Sequence, residues 1–216
     1  MVKVAASVLN ADFTVWKKWL PQLEEAQVDR IQWDIMDSKY VKNYGVSSHF
    51  LDELRPHTKL FFESHLMVLK PEEYLKEFAD FGTQLLIFHV ETTEKPVELI
   101  KQIEDLGMKP GIAINNRTKV ESILPFLDKV DLALVMSVEA GFGGQKFNPE
   151  ALEKISILRK KIDEESLKCD VEVDGGINFD TGKQCVETGV DVLVSGSGLF
   201  KHPKGIVEAV KELKSL

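Results

Sequence analysis

Eight short apolar runs with helical patterns between them constrain the fold of this chain more than any other feature of its sequence. The runs lie at about 2–8, 29–36, 59–66, 84–90, 110–115, 131–138, 169–173 and 191–196. Several are apolar at successive positions, as strands covered on both faces are. Eight βα units within 216 residues predict an α/β fold, a (β/α)8 TIM barrel formed as a single domain over residues 1–216. A doubly wound open sheet is the alternative fold.

The segments between these runs have the spacing of amphipathic helices. Apolar residues step by three or four positions at Trp16, Trp19 or Leu20, Leu23 and Ala26, and again at Ala151, Ile155, Leu158 and Ile162. Proline favours the first turn of a helix and glycine the residue after the last. Helices are therefore expected to begin at Pro71 and Pro149 and to end before Gly82, Gly107 and Gly189.

The composition excludes several classes of function. The hydrophobic share is 44%, the formal net charge is −8 and Lys/Arg-rich runs are lacking, so neither nucleic acid nor an anionic membrane is expected as a partner. No stretch approaches the roughly 18 consecutive apolar residues of a membrane span, and the first residues lack the pattern of a secretory signal. We therefore predict a soluble cytoplasmic protein in which Cys169 and Cys185 are reduced.

Three glycine clusters follow the last three predicted strands. They read GFGGQ at 141–145, DGG at 174–176 and GSG at 196–198. Glycine lets the backbone approach an anion closely and point several N–H groups at it, and barrels commonly bind phosphate after strands 7 and 8. One such cluster is an ordinary turn, but three in succession on one rim predict a phosphate-binding site in an acidic protein.

Two aspartates stand near the ends of predicted strands. Asp34 lies in IQWDIMDS and Asp174 ends VEVD, and burying a carboxylate in a barrel is costly unless it is paired or bound to a metal. Because strands 2 and 7 approach the mouth from different sides, the two carboxylates are placed to flank one substrate carbon, as a two-base epimerisation requires. The alternative for Asp34 is that it caps a neighbouring loop.

Other polar side chains occur at the remaining strand ends. His65 and His89 close the predicted strands 3 and 4, and each is either a hydrogen-bonded core residue or a ligand to a metal or carbonyl. Ser7 and Asn10 follow strand 1, where helix capping and substrate contact are both open. Methionines recur at strand ends as core filler or as a polarizable floor under a sugar intermediate, namely Met36, Met67 and Met136.

Together these residues resemble the ribulose-phosphate 3-epimerase family over the whole length of the chain. The motifs that carry the resemblance are SVLNADF (7–13), WDIMD (33–37), HLM (65–67), MSVEAGFGGQKF (136–147), VEVDGGI (171–177) and VSGSGLF (194–200). Members of that family are TIM barrels that interconvert D-ribulose 5-phosphate and D-xylulose 5-phosphate with a divalent metal. The resemblance therefore implies an isomerase of the pentose phosphate pathway, and a homo-oligomer that is a dimer or larger.

The resemblance also implies roles for individual residues. Asp34 and Asp174 are similar to the two acid/base residues, which also ligate the metal, and His65 is similar to a metal-ligating histidine. We expect substrate contacts from Ser7, Met36, His65, Met67 and Met136 and, at the phosphate, from Gly143, Gly144, Gly175, Gly176, Gly196 and Ser197.

One departure from the family bears on the metal. The position two residues before Asp34, a metal-ligating histidine in the family, is Gln32. A glutamine oxygen is a weaker ligand than imidazole for zinc and other borderline metals, so the sequence leaves open whether zinc, iron, manganese, cobalt or no metal is retained. Smaller departures near the mouth are MDSKYVKN after strand 2, NNRT at 115–118 and EAGFGG after strand 6, which leave the preferred ketose phosphate open.

Three alternatives to a pentose-phosphate epimerase are considered. An epimerase for another ketose phosphate, such as allulose 6-phosphate, has the same chemistry. The related decarboxylases and hexulose-phosphate synthases are disfavoured, because they carry Asp-x-Lys-x-x-Asp after strand 3, where this chain reads ESHLMVL and has no lysine until Lys70. A metal-free paralogue that binds sugar phosphate without turnover is suggested by Gln32, although Asp34 and Asp174 are both retained.

Overall fold

Eight strands form one closed parallel barrel in the computed structural model of the chain, which describes residues 2–216. They run Lys3–Ser7 (β1), Arg30–Met36 (β2), Phe61–Met67 (β3), Leu85–His89 (β4), Lys109–Ile114 (β5), Leu132–Met136 (β6), Asp170–Asp174 (β7) and Val192–Ser195 (β8). Each strand pairs with the next, and β8 pairs with β1 through Val4 and Leu193, which closes the barrel. The predicted TIM barrel is confirmed and the open sheet is wrong.

The connections between strands are mostly helical. The α-helices are Trp16–Glu25 (α1), Ser48–Leu54 (α2), Leu75–Asp80 (α3), Pro96–Asp105 (α4), Glu150–Glu164 (α5), Phe179–Thr188 (α6), Ser197–Phe200 (α7) and Ile206–Lys214 (α8). Short 3-10 helices occupy Val8–Asn10, Phe13–Val15, Arg55–His57, Pro71–Glu73, Val90–Thr92, Val120–Ser122 and Leu124–Phe126. Among residues 2–216, none of the helices has both the length and the apolar character needed to cross a membrane.

The connection from β5 to β6 differs from the eight regular βα units that the sequence predicts. It contains two 3-10 helices, of which the second includes Pro125, in place of an α-helix. The regular βα unit expected here is therefore wrong.

Most predicted helix boundaries are confirmed. Pro149 immediately precedes α5, whereas Pro71 begins a 3-10 helix just ahead of α3. Glycines with φ of 79°, 80° and 108° follow α3, α4 and α6, at Gly82, Gly107 and Gly189. The buried face of α5 consists of the predicted residues Ala151, Ile155, Leu158 and Ile162.

The apolar core has two main parts. A large cluster packs the outer faces of the strands against the helices and includes Trp33, Phe62 and Phe78. A smaller cluster lies inside the barrel and includes Ile87 and Leu134. Because side chains alternate between the two faces of a strand, the strands that send large apolar residues outward are free to send polar residues inward.

Candidate active site

Three ionisable side chains from β2, β3 and β7 meet inside the barrel near the carboxyl ends of the strands. They are Asp34, His65 and Asp174, and each offers a ligand atom within 4.8 Å of those of the other two. Asp34 and His65 are buried, and Asp174 is partly exposed. The sequence suggested that His65 ends β3, but it lies two residues before the end of that strand. The structure thus brings together the acid/base and metal-ligating candidates, whose roles stay predictions.

Asp34 is held by neighbouring side chains within this group. Ser7 Oγ donates to its Oδ2 at 2.7 Å, and His65 Nδ1 lies 3.0 Å from its Oδ1. Loop capping is performed instead by Asp37, whose carboxylate accepts three backbone N–H groups of the loops after β2 and β3. The hydroxyl of Ser7 is directed at Asp34 and makes no helix-capping hydrogen bond. The structure therefore favours the site interpretation of Asp34 and Ser7 over capping.

Gln32 bridges the two carboxylates. Its Nε2 donates to Asp34 Oδ1 at 3.0 Å and to Asp174 Oδ2 at 2.9 Å. Its Oε1 is buried and finds no hydrogen-bond partner among the described residues. The two ends of an amide are assigned from their hydrogen bonds, and turning this amide over would aim the unpartnered oxygen between the carboxylates. The donor set therefore fits a divalent cation, with three strong ligands and one amide oxygen.

The pKa of Asp174 is shifted towards neutrality. Burial, followed by the charge of Asp34, raises the pKa of Asp174 to about 7, although His65 and the hydrogen bond from Gln32 act in the opposite direction. A carboxyl group of this kind is present in both protonation states near neutral pH. It can therefore donate a proton in one half of a reaction and accept one in the other.

A second layer of polar side chains lies behind His65. His65 Nε2 is 2.9 Å from His89 Nε2, and His89 Nδ1 is 3.1 Å from the Tyr40 hydroxyl and 3.2 Å from Glu91 Oε2. Burial lowers the pKa of His89. Although burial acts to raise it, hydrogen bonds from His89, Thr118 and a backbone N–H lower the pKa of Glu91 to about 2.

His89 is thus a buried, hydrogen-bonded residue behind the site, as its core alternative predicted. Sequence reasoning did not identify Tyr40 or Glu91. The signal for Glu91 was a carboxylate two residues after a histidine that ends a strand.

A cavity opens at the mouth of the barrel over this group, and Asp34 and Asp174 both line it. His65 does not line it. The other predicted substrate contacts all do, namely Ser7, Met36, Met67, Met136, Gly143, Gly144, Gly175, Gly176, Gly196 and Ser197. Asn10 also lines the cavity, and so do apolar wall residues that the sequence did not reveal, Leu9, Val138, Ile177 and Val194.

One of the rim glycines, Gly176, is required by a close contact. A Cβ atom there would overlap the backbone nitrogen of Phe147. Gly176 also has a φ of 63°, which disfavours other residues. Glycine at this position therefore allows the loops after β6 and β7 to approach each other beside the cavity.

A charged layer lies one pleat below the site. Two positions before Gln32, His65 and Asp174 on their strands stand Arg30, Glu63 and Glu172. Arg30 Nη1 donates to Glu63 Oε2 at 2.7 Å and to Glu172 Oε2 at 3.4 Å, across the barrel interior. Burial raises the pKa of both glutamates, which are fully buried.

Comparison with known proteins identifies the family. The model of the Ribulose-phosphate 3 epimerase family matches residues 3–200. The chain belongs to the ribulose-phosphate 3-epimerase family. It is 38% identical to the ribulose-phosphate 3-epimerase of Schizosaccharomyces pombe, over 99% of this chain and 92% of the relative. It is 36% identical to the cytoplasmic isoform of ribulose-phosphate 3-epimerase of Oryza sativa subsp. japonica, over 97% of this chain and 93% of the relative.

Solved structures extend the likeness of fold beyond the ribulose-phosphate 3-epimerase family. KGPDC from Streptococcus mutans matches with a TM-score of 0.74, covering 100% of this chain and 96% of that one, at 16% sequence identity. At such low identity the likeness concerns the barrel alone. The resemblance to the epimerase family that the motifs predicted is confirmed by the family match.

Proposed function

We propose that this chain is a ribulose-phosphate 3-epimerase, an isomerase that interconverts D-ribulose 5-phosphate and D-xylulose 5-phosphate. The observation that carries the proposal is the position of Asp34 and Asp174, which come from β2 and β7 and line one cavity in a chain of this family. The two relatives named above carry this activity in their names, and the chain spans 92% and 93% of their lengths.

The two carboxylates account for the inversion. Removal of the C3 proton beside the C2 ketone leaves an enediolate, and return of a proton from the opposite face inverts C3. Asp34 is oriented by the donors Ser7 and Gln32. Asp174, with its pKa near 7, supplies or takes up the proton on the other side. In the reverse direction the two residues exchange roles, the acid of one direction acting as the base of the other.

A divalent cation fits among the ligand atoms of Asp34, His65 and Asp174. When bound, such a cation supplies Lewis-acid stabilisation of the negative charge of the enediolate. Gln32 would complete the set through Oε1, with its amide turned over from the orientation described above. One imidazole and three oxygen donors suit several divalent transition metals, so the identity of the ion among zinc, iron, manganese and cobalt stays open.

The glycine rim is the proposed site of the substrate phosphate. The pairs Gly143–Gly144, Gly175–Gly176 and Gly196–Ser197 line the same cavity. The short helix α7 begins at Ser197, directly after β8, where barrels of this fold commonly bind phosphate. Below the rim, an apolar surface for the sugar carbons is provided by Met36, Met67 and Met136.

The remaining expectations are consistent with this function. We propose that residues 1–216 form one domain, since all eight strands share one barrel. The cytoplasmic location and the homo-oligomeric state stay predictions. The location is supported by the name of the cytoplasmic relative from Oryza sativa subsp. japonica.

The proposal is tested by supplying ribulose 5-phosphate in deuterated water and analysing the product. A two-base epimerase should release xylulose 5-phosphate carrying solvent deuterium at C3. Allulose 6-phosphate, assayed in parallel, tests the six-carbon alternative. A higher kcat/KM for the hexose would favour that alternative. Calorimetric binding of both sugars with no turnover of either would identify a non-catalytic paralogue.

A further inference from the structure

Glu91 and His89 continue the candidate metal site outward from His65 in a single line of contacts. His65 Nδ1 lies 3.0 Å from Asp34 Oδ1, and its Nε2 lies 2.9 Å from His89 Nε2. His89 Nδ1 in turn lies 3.2 Å from Glu91 Oε2. Both imidazoles are fully buried, whereas 23% of the Glu91 side chain is exposed. The line therefore runs from the site to the edge of the barrel.

The contact between the two imidazoles restricts where their protons lie. At 2.9 Å one Nε2 must donate and the other must accept, because two lone pairs or two N–H groups would repel each other. With both rings neutral, two arrangements remain. In the first, His65 carries its proton on Nε2 and His89 carries its proton on Nδ1. In the second arrangement both tautomers are reversed, so the Nδ1 proton of His65 faces Asp34.

Glu91 favours the first arrangement. Its carboxylate only accepts hydrogen bonds, so His89 Nδ1 must carry a proton to make a favourable contact at 3.2 Å. The carboxylate is fixed by the backbone N–H of Asn115, which donates to Oε1 at 2.8 Å, and by the hydroxyl of Thr118, which donates to the same oxygen. The Tyr40 hydroxyl can donate to or accept from His89 Nδ1, so it does not select a tautomer.

Asp34 favours the second arrangement, because its Oδ1 lies 3.0 Å from His65 Nδ1. That oxygen already accepts a hydrogen bond from Gln32 Nε2 at 3.0 Å. A second hydrogen bond therefore stabilises Asp34 Oδ1 less than the hydrogen bond from His89 Nδ1 stabilises Glu91.

We propose that Glu91 is a positioning residue that acts through His89 to keep the Nδ1 lone pair of His65 directed into the site. A cation between Asp34 and Asp174 requires that lone pair, whereas a proton on Nδ1 would exclude it. The inference uses the cation of the proposed function. The tautomer itself, however, is a property of the chain without cation or substrate, so it can be tested separately.

The test is NMR of metal-free protein labelled with nitrogen-15 in histidine, since couplings across the ring distinguish Nδ1–H from Nε2–H. The wild-type chain should show the proton on Nε2 of His65 and on Nδ1 of His89. Glu91→Gln keeps an oxygen for Asn115 and Thr118 but presents an N–H to His89, so both tautomers should reverse. Its affinity for Mn²⁺ or Zn²⁺, measured by calorimetry, should fall by about 10–100-fold.

Glu98→Gln is the matched control, because Glu98 lies on α4 and forms an exposed pair with Lys95, the residue before that helix. The change removes the same charge and should alter neither measurement. A proton on Nδ1 of His65 in the wild-type chain would overturn the proposal with no variant required. Unchanged tautomers in folded Glu91→Gln would also overturn it. An inactive enzyme with the expected tautomers would instead contradict the proposed function and leave this inference standing.

Discussion

Gln32 Nε2 donates to Asp174 Oδ2 at 2.9 Å, which joins β2 to β7 across the interior of the barrel. The same nitrogen donates to Asp34, so a neutral amide holds together two carboxylates that would otherwise repel each other. A cation between Asp34 and Asp174 would also hold the two carboxylates together, and its positive charge would attract them more strongly than the neutral amide does. The side chain of Gln32 is therefore the point at which the metal-free and metal-loaded forms of the site must differ.

Gln32→His should raise affinity for Zn²⁺, because imidazole is the stronger ligand. We expect a gain of about tenfold or more, equivalent to ~1.4 kcal/mol, by calorimetry. Gln32→Leu is the control, since it removes the amide without adding a ligand and should give no gain. An unchanged affinity in Gln32→His would mean that this side chain does not face the cation.

Asp34→Asn and Asp174→Asn should each lower kcat by about 10²–10⁴-fold, the usual contribution of a general acid or base, in a coupled assay of xylulose 5-phosphate formation. Asp37→Asn is the matched control, because its carboxylate caps loop backbone beside the site and should affect stability more than kcat. Near-normal turnover in either variant of the first pair would rule out the two-base mechanism.

The pKa of Asp174 predicts how the stability of the metal-free protein depends on pH. Its pKa is raised from 3.8 to about 7 in the folded chain, so between these values the folded state binds more protons than the unfolded state. The free energy of unfolding therefore falls as pH rises from about 4 to about 7. In urea titrations, Asp174→Asn should gain stability relative to wild type across this window. A difference between the two chains that does not vary with pH would show that the carboxyl group is not shifted.

Sulfate or phosphate should raise the melting temperature by binding the glycine rim, with about 2.7 kcal/mol of stabilisation at an anion concentration 100 times Kd. Gly176→Ala should abolish this shift, because the added Cβ meets the backbone of Phe147. Gly107→Ala is its control, since Gly107 has a φ of 80° but open space around its Cβ. Retention of the shift in Gly176→Ala would place the anion elsewhere.

Arg30→Ala should destabilise the folded chain by about 3–5 kcal/mol, because it removes the buried guanidinium that pairs with Glu63 at 2.7 Å and with Asp170 at 2.8 Å. Chemical denaturation measures this loss directly. Lys109→Ala breaks an exposed pair with Asp131, 3.0 Å in length, and should cost less than about 1 kcal/mol. Equal effects of the two changes would show that the lower charged layer contributes little to stability.

The sequence predicted features that depend on local pattern or on barrel geometry. The strands were located to within two residues, and strand ends that converge on one rim brought Asp34, His65 and Asp174 together. The missing α-helix after β5 and the contact of Glu91 with His89 were not predicted. The contact of Glu91 with His89 depends on side-chain directions across neighbouring strands, which spacing alone does not fix.

The charged layer of Arg30, Glu63 and Glu172 has a consequence for anyone who wishes to redesign this barrel. The apolar packing that stabilises the fold lies mainly outside the strands, so the inner positions of β2, β3 and β7 are open to new chemistry. These positions cannot be changed independently, because a charge added to or removed from one layer of the barrel interior acts on the charged groups of the layer above or below. Productive changes there should come as electrically balanced sets, designed over both layers together.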